Sequence, residues 1–240
     1  MKLSLQKSLT YLGGIAIVLA VLAVCVVWFW RPGSFFKYPN WGHRLGGDVV
    51  SDHPENTLEI FRLTILDRKL ESNEAYLYSE CDLRETADHE IVIFHDWELG
   101  RLVPDTHENR AAIGTSEKIE KQTIHELTLE QVKKLRLSGG EQIPTLEELL
   151  ECACELNLQK PLLLEIKLLR TDAGRRQMLE LAAKYRDQSD LQIDFLAFRR
   201  NISRSFDDPR KWLDKIKASG FRVYQVYRSK TPQNDICENW

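Results

Sequence analysis

Read for its alternation of apolar and polar positions, the chain begins with one long apolar segment and then breaks into short elements. Ser8 to Trp30 carries no charge, and Leu12 to Trp30 is nearly all apolar. At about 1.5 Å per residue this reaches roughly the thickness of a bilayer's hydrocarbon core, which predicts a membrane helix. The apolar run continues through Val26-Val27-Trp28-Phe29-Trp30 without a small-residue cleavage site, which argues against a removed signal peptide. Trp28, Trp30 and Phe35-Phe36 suit the interfacial belt, and Lys2, Lys7 and the amino terminus weigh slightly toward an inward N-terminus. The expectation is a single-pass anchor with linker over residues 1–37, and a domain over residues 38–240 on the non-cytoplasmic side.

Beyond Arg31-Pro32-Gly33-Ser34 the pattern changes period. Pro54 to Leu66 places Leu58, Phe61, Ile65 and Leu66 at helical spacing. Tyr76 to Leu83 and Glu90 to Phe94 read as strands, and Trp97 to Thr123 reads as a long irregular region broken by Gly100, Pro104 and Gly114. Amphipathic helices are predicted at Thr128 to Leu135 and Thr145 to Asn157, with Thr145 as a cap. The continuous apolar run Leu162-Leu163-Leu164-Glu165-Ile166-Lys167 suits a strand buried on both faces. A helix at Asp172 to Tyr185, a strand at Leu191 to Phe198, a helix at Pro209 to Ser219 and a strand at Phe221 to Tyr227 complete the series. Alternation of this kind predicts an α/β fold with a parallel sheet and chemistry at the strand C-terminal ends.

Composition changes this picture little. With 240 residues, 43% hydrophobic content and a net charge of −3, the chain is long enough for a substantial core. Its basic residues are scattered, with no basic stripe interleaved by aromatics, so nucleic acid is not an expected partner. The five cysteines show no CxxC spacing and are expected to be free thiols; Cys152 and Cys154, two apart on one helix, face different directions.

The candidate chemistry lies at the ends of the predicted strands. Glu80 and Asp82 share one face of an extended segment, and like charges that close call for a cation. Glu165 supplies a third carboxylate, which makes a hard oxygen site suited to one divalent cation, Mg²⁺ or Ca²⁺. His43 and His95 provide a general acid and a general base, and Arg44 and Lys167 are placed to hold an anion. On this reading the groups come from four different strands. An oxyanion substrate, a phosphate ester, accounts for the set. His53, His89, His107 and His125 fall in loops or polar stretches and are set aside.

In that order, Gly42-His43-Arg44, Pro54-Glu55-Asn56-Thr57, Glu80-x-Asp82, His95-Asp96, Ile143-Pro144-Thr145-Leu146-Glu147-Glu148 and Leu164-Glu165-Ile166-Lys167 resemble the motifs of the glycerophosphodiester phosphodiesterase family. The resemblance implies a TIM-barrel and metal-dependent hydrolysis of a small-molecule glycerophosphodiester to glycerol 3-phosphate and an alcohol. It implies His43 and His95 as the acid/base pair, Glu80, Asp82 and Glu165 as metal ligands, and Arg44 and Lys167 as phosphate contacts. Leu45 follows Arg44 where the family has glycine, and only 42 residues follow Phe198. Counting a strand that ends at His43-Arg44, six strands are predicted, short of the eight a closed barrel uses, so the expected barrel is irregular or shortened in its C-terminal part. Two other readings of the same residues are an inactive relative that binds a phosphorylated ligand or a partner at the membrane, and a sphingomyelinase-D-like phospholipase.

Overall fold

The computed structural model describes residues 34–37, 40–47, 53–66, 73–205, 207–228 and 234–238. The expected membrane helix lies outside the described residues; among them no helix is long and apolar enough to cross a membrane. Seven strands form one sheet: β1 (Ser34–Lys37), β2 (Ser79–Glu85), β3 (Ile91–Ile93), β4 (Leu162–Leu168), β5 (Ile193–Phe198), β6 (Val223–Arg228) and β7 (Asn234–Glu238). Their order is β1-β7-β6-β5-β4-β2-β3. β2, β4, β5 and β6 run parallel, while β3 and β7 are antiparallel to β2 and β6. The expected parallel α/β sheet is therefore present as a four-strand centre. Among the described residues the sheet is open, with β1 and β3 at its edges.

Alternation along the strands separates two faces. Cys81, Leu83, Leu164, Ile166, Phe195, Ala197 and Val223 belong to the main apolar core. The alternate positions Leu163, Leu196 and Tyr224 join Tyr78 in a second, smaller cluster. Seven α-helices accompany the sheet in the described residues: α1 (Leu58–Leu66), α2 (His107–Ile113), α3 (Leu129–Lys134), α4 (Leu146–Glu155), α5 (Asp172–Gln188), α6 (Arg199–Ser205) and α7 (Pro209–Ala218). α4 buries Leu146, Leu149, Leu150 and Ala153, and starts with a reciprocal cap in which Thr145 Oγ1 accepts from Glu148 N while the Glu148 carboxylate accepts from Thr145 N. Each fully buried Leu or Phe of this layer contributes about 1.5–3 kcal/mol. That layer keeps the strands in register and so fixes what stands on the opposite face.

Three expectations need correction. The first long strand is Ser79–Glu85 rather than Tyr76 to Leu83. Asn40 holds the preceding stretch out of the ladder, since its amide oxygen accepts from Leu77 N and its Nδ2 donates to Tyr78 O. Trp97 to Thr123 is not irregular: it contains α2, capped by Thr106, and short 3-10 turns at Leu99–Arg101 and Ile119–Lys121. Val92, Phe94, Leu99, Val103, Ile119 and Ile124 give this excursion a small core of its own. His43 and Arg44 do not end a strand; they open a 3-10 turn, His43–Gly46.

Candidate active site

Glu80 and Asp82 stand on β2, and Glu165 on β4 is the register partner of Asp82. Because side chains alternate in a strand, all three rise from the same face as Leu163 and Leu196, with the small apolar cluster alongside. Their exposures are 1%, 0% and 4%, and one carboxylate oxygen from each lies within 4.8 Å of the others. Lys167, two residues beyond Glu165, brings Nζ to 2.7 Å from Glu165 Oε1 and 2.9 Å from Asp82 Oδ1.

The electrostatics divide the three acids. Burial opposes ionisation of Asp82, but the Lys167 ammonium, His95 and the Asn56 hydrogen bond outweigh it and hold that carboxyl well below the usual range. Glu80 is pushed up by burial and then by the charge of Asp82. Burial, reinforced by Asp82, likewise pushes Glu165 up against the pull of Lys167. Burial disfavours the Lys167 charge, yet Asp82 and Glu165 raise its pKa overall. Glu80 Oε1 is buried without a hydrogen-bond partner among the described residues. A buried carboxylate oxygen with no donor is costly unless a cation meets it.

The turn that carries His43 and Arg44 is bound tightly to β2. Glu80 N donates to Gly42 O at 2.9 Å, and Arg44 N donates to Glu80 Oε2 at 2.9 Å. A Cβ on Gly42 would lie 1.9 Å from Tyr78 O, so only glycine lets the turn approach this closely. Arg44 and Leu45 both adopt left-handed backbone, φ 51° and 61°, a strained arrangement for side-chain-bearing residues. His43 Nε2 ends 3.8 Å from Glu80 Oε2.

His95 lies two residues past β3. Its Nδ1 is 2.6 Å from Asp96 Oδ1, and its Nε2 is 2.8 Å from Arg44 Nη2. A guanidinium can only donate, so Nε2 is the acceptor nitrogen and Nδ1 carries the proton toward Asp96. Burial opposes the Asp96 charge, while hydrogen bonds from His95 and Arg101 hold its pKa well below the usual range. Beneath the ring, Arg84 Nη2 donates to His95 O at 2.6 Å.

All seven predicted side chains thus collect on one side of the sheet. The anion contacts, however, are already engaged with protein groups: Arg44 Nη1 donates to both oxygens of Glu55, at 3.0 and 2.8 Å, and Lys167 sits between two carboxylates. Five further residues complete the arrangement. Glu55 also accepts from Arg101, which in turn donates to Asp96, forming a ring of alternating charge around His95. Asn56 Nδ2 donates to Asp82 Oδ2 at 2.7 Å. Arg84 is the fifth. Asp96 was legible as the neighbour of His95, and Asn56 as a residue tolerant of left-handed backbone just before a helix, which it adopts at φ 61°. Glu55 stands in the Pro54-Glu55-Asn56-Thr57 motif, while nothing in the sequence marks Arg84 or Arg101. The histidines set aside make contacts elsewhere: His53 Nδ1 is 2.8 Å from Glu141 Oε1, His89 Nδ1 is 3.0 Å from Glu85 Oε1, and His125 packs against Trp97 with ring centres 4.8 Å apart.

Residues 49–235 match the profile of the Glycerophosphoryl diester phosphodiesterase family. Among solved structures, a candidate glycerophosphodiester phosphodiesterase from Galdieria sulphuraria is similar at 28% identity and a TM-score of 0.54, over 78% of this chain and 63% of that one. A candidate glycerophosphoryl diester phosphodiesterase from Silicibacter pomeroyi DSS-3 shares the fold at 22% identity and a TM-score of 0.52, over 80% of this chain and 64% of that one. The chain therefore spans a little under two thirds of these relatives. No curated protein matches it.

Proposed function

The chain belongs to the glycerophosphoryl diester phosphodiesterase family, whose fold is a TIM-barrel-like α/β one, and from that premise we propose that it hydrolyses glycerophosphodiesters to glycerol 3-phosphate and an alcohol with one divalent cation, Mg²⁺ or Ca²⁺. The observation that carries this reading is the cluster of three buried carboxylates, within 4.8 Å of one another, beside the His95–Asp96 pair. The cluster fits a cation: its donors are all hard oxygens, and Glu80 Oε1 has no hydrogen-bond donor among the described residues. Glu80, Asp82 and Glu165 would hold the ion, and when bound it would polarise the phosphoryl oxygens and offset charge growing in the transition state.

The protein's own groups account for the proton movements. The substrate phosphate draws Arg44 from His95 Nε2 and engages Lys167, freeing Nε2 to take the proton of the attacking oxygen. Asp96 keeps the ring in the correct tautomer and favours the imidazolium, as a buried carboxylate does for a catalytic histidine. As the new P–O bond forms, the bond to the alcohol oxygen breaks and His43 gives that oxygen its proton. In net terms one water is consumed, its oxygen ends on phosphorus and its hydrogens are shared between the two products. Leu12 to Trp30 would tether this domain, from about residue 38 onward, to a membrane with the site on the non-cytoplasmic side.

Leaving-group chemistry tests the two roles. His95→Ala should lose about 10²–10⁴-fold in rate on glycerophosphocholine and on a nitrophenyl phosphodiester alike, because each needs the base. His43→Ala should show that loss on glycerophosphocholine and much less of it on the nitrophenyl ester, whose leaving group needs no proton. The opposite pattern would exchange the roles, and full activity in both variants would end the proposal.

A further inference from the structure

A cavity of about 570 Å³ opens directly from the catalytic face, since His95 and Lys167 line it. Five basic side chains, Arg84, Lys167, Arg170, Arg200 and Arg204, stand around it with Asp96 as the one carboxylate in its wall. Asp96 is already bonded to His95 and Arg101, so it offsets little of that charge. Among the described residues no carboxylate pairs with the side chains of Arg170, Arg200 or Arg204. Arg84 is 9% exposed; one of its nitrogens serves His95 O, and its Nε has no partner among the described residues.

Three of the basic groups stand against two aromatic side chains. Lys167 Nζ and Arg200 Cζ lie 5.8 and 5.6 Å from the centre of the Phe198 ring, and Arg84 Cζ lies 5.8 Å from that of Trp97. The basic groups of the cavity come from β2, β4, the turn after β4 and α6, at the C-terminal ends of neighbouring parallel strands. This concentration contrasts with a chain whose net charge is −3. The same positive field reaches His125, whose pKa is lowered first by burial and then by Arg170. A low-dielectric cleft lined by one sign of charge concentrates ligands of the other.

A glycerol unit carries no charge and does not need such a cavity, which lies within the size range of whole ligand sites. We infer that the cavity receives the alcohol side of the diester and that this alcohol is itself anionic, bearing a phosphate or carboxylate held by Arg200, Arg204 and Arg170. The inference rests on the proposed diesterase activity and names its substrate class. Cationic head groups such as choline meet repulsion in the same place.

The test uses the full chain with Mg²⁺ or Ca²⁺ and a matched pair of substrates, glycerophosphoinositol 4-phosphate and glycerophosphoinositol, with glycerophosphocholine as the cationic comparison. The expected result is a kcat/KM at least tenfold higher for the phosphorylated member, with glycerophosphocholine the poorest. The double substitution Arg200→Gln and Arg204→Gln, and separately Arg170→Gln on a different element, should bring the matched-pair ratio toward one. A ratio near one in the unaltered protein, or a ratio that survives both sets of substitutions, would overturn the inference. Calorimetric titration with inositol 4-phosphate separates this from failure of the diesterase reading. Binding that both sets of substitutions abolish keeps the anion site even where no diester turns over, and absence of binding removes it whatever the activity.

Discussion

Glu80→Gln offers the sharpest perturbation, because it replaces a buried acid by a neutral group of the same shape. Burial and the neighbouring Asp82 raise the Glu80 carboxyl from its ordinary 4.5 to about 8. Between those values the folded protein keeps a proton that the unfolded chain has released, so metal-free stability falls as pH rises from 4.5 toward 8. At 1.36 kcal/mol per unit, the cost at pH 7 is roughly 3 kcal/mol. The glutamine variant escapes it. In chelator at pH 7 its melting temperature should exceed the parent's by roughly 6–12 °C, at about 2–4 °C per kcal/mol for a domain of this size. The gap should narrow to under about 1 kcal/mol near pH 5 and close below about pH 4, where Glu80 carries its proton in both states. A saturating divalent cation should close the gap and then reverse the order: it adds about 2.7 kcal/mol to the parent at a hundredfold excess over Kd and about 4.1 kcal/mol at a thousandfold. The variant, short of one ligand, should gain little. Scanning fluorimetry at pH 5, 7 and 8, with chelator and with cation, reads all of this. A variant less stable than the parent in chelator at pH 7, or stabilised as much by the cation, would refute the reasoning.

Two further substitutions probe the frame around the acids. Gly42→Ala places a methyl 1.9 Å from Tyr78 O, where backbone rather than a movable side chain is the obstacle. We expect a loss of more than about 3 kcal/mol by urea denaturation, and a shift below 1 kcal/mol would show that the turn has room to move. Asn56→Ala removes the hydrogen bond to Asp82 Oδ2 and should cost about 1–3 kcal/mol, as expected for a bond to a buried charge. It should also weaken cation binding by calorimetry, and unaltered affinity would separate Asn56 from the metal site.

How far the sequence announced this site follows from the kind of backbone each residue occupies. Glu80 with Asp82, and Glu165 with Lys167, were legible because a strand puts residues two apart on one face, and the β2–β4 register then sets Asp82 beside Glu165. The motif marks His43 and Arg44, but the sequence pattern places them at a strand end where the structure has a 3-10 turn. Left-handed conformations at Arg44 and Leu45 leave no trace in the apolar pattern; Gly46 follows them at φ 101°, and Arg44 N is held by Glu80 Oε2 from a distant strand. The excursion after His95 escaped notice because its helices are short and are secured by side chains bonding to backbone. Asn109, for example, donates to Pro104 O and Arg136 O and accepts from Arg136 N. The ring Glu55–Arg44–His95–Asp96–Arg101 joins residues up to 51 apart in sequence, a proximity that exists only once the fold does.

In the proposed function Glu80, Asp82 and Glu165 hold the cation on which diester hydrolysis depends. Phosphorus NMR of glycerophosphocholine and glycerophosphoinositol with the full chain tests it most directly, run with Mg²⁺ or Ca²⁺, then with chelator, then with the cation restored. The expected result is that the glycerol 3-phosphate signal grows, stops and resumes, and that Glu165→Gln produces none under any condition. Turnover that continues undiminished in chelator or in Glu165→Gln, or no turnover with either cation, would contradict it.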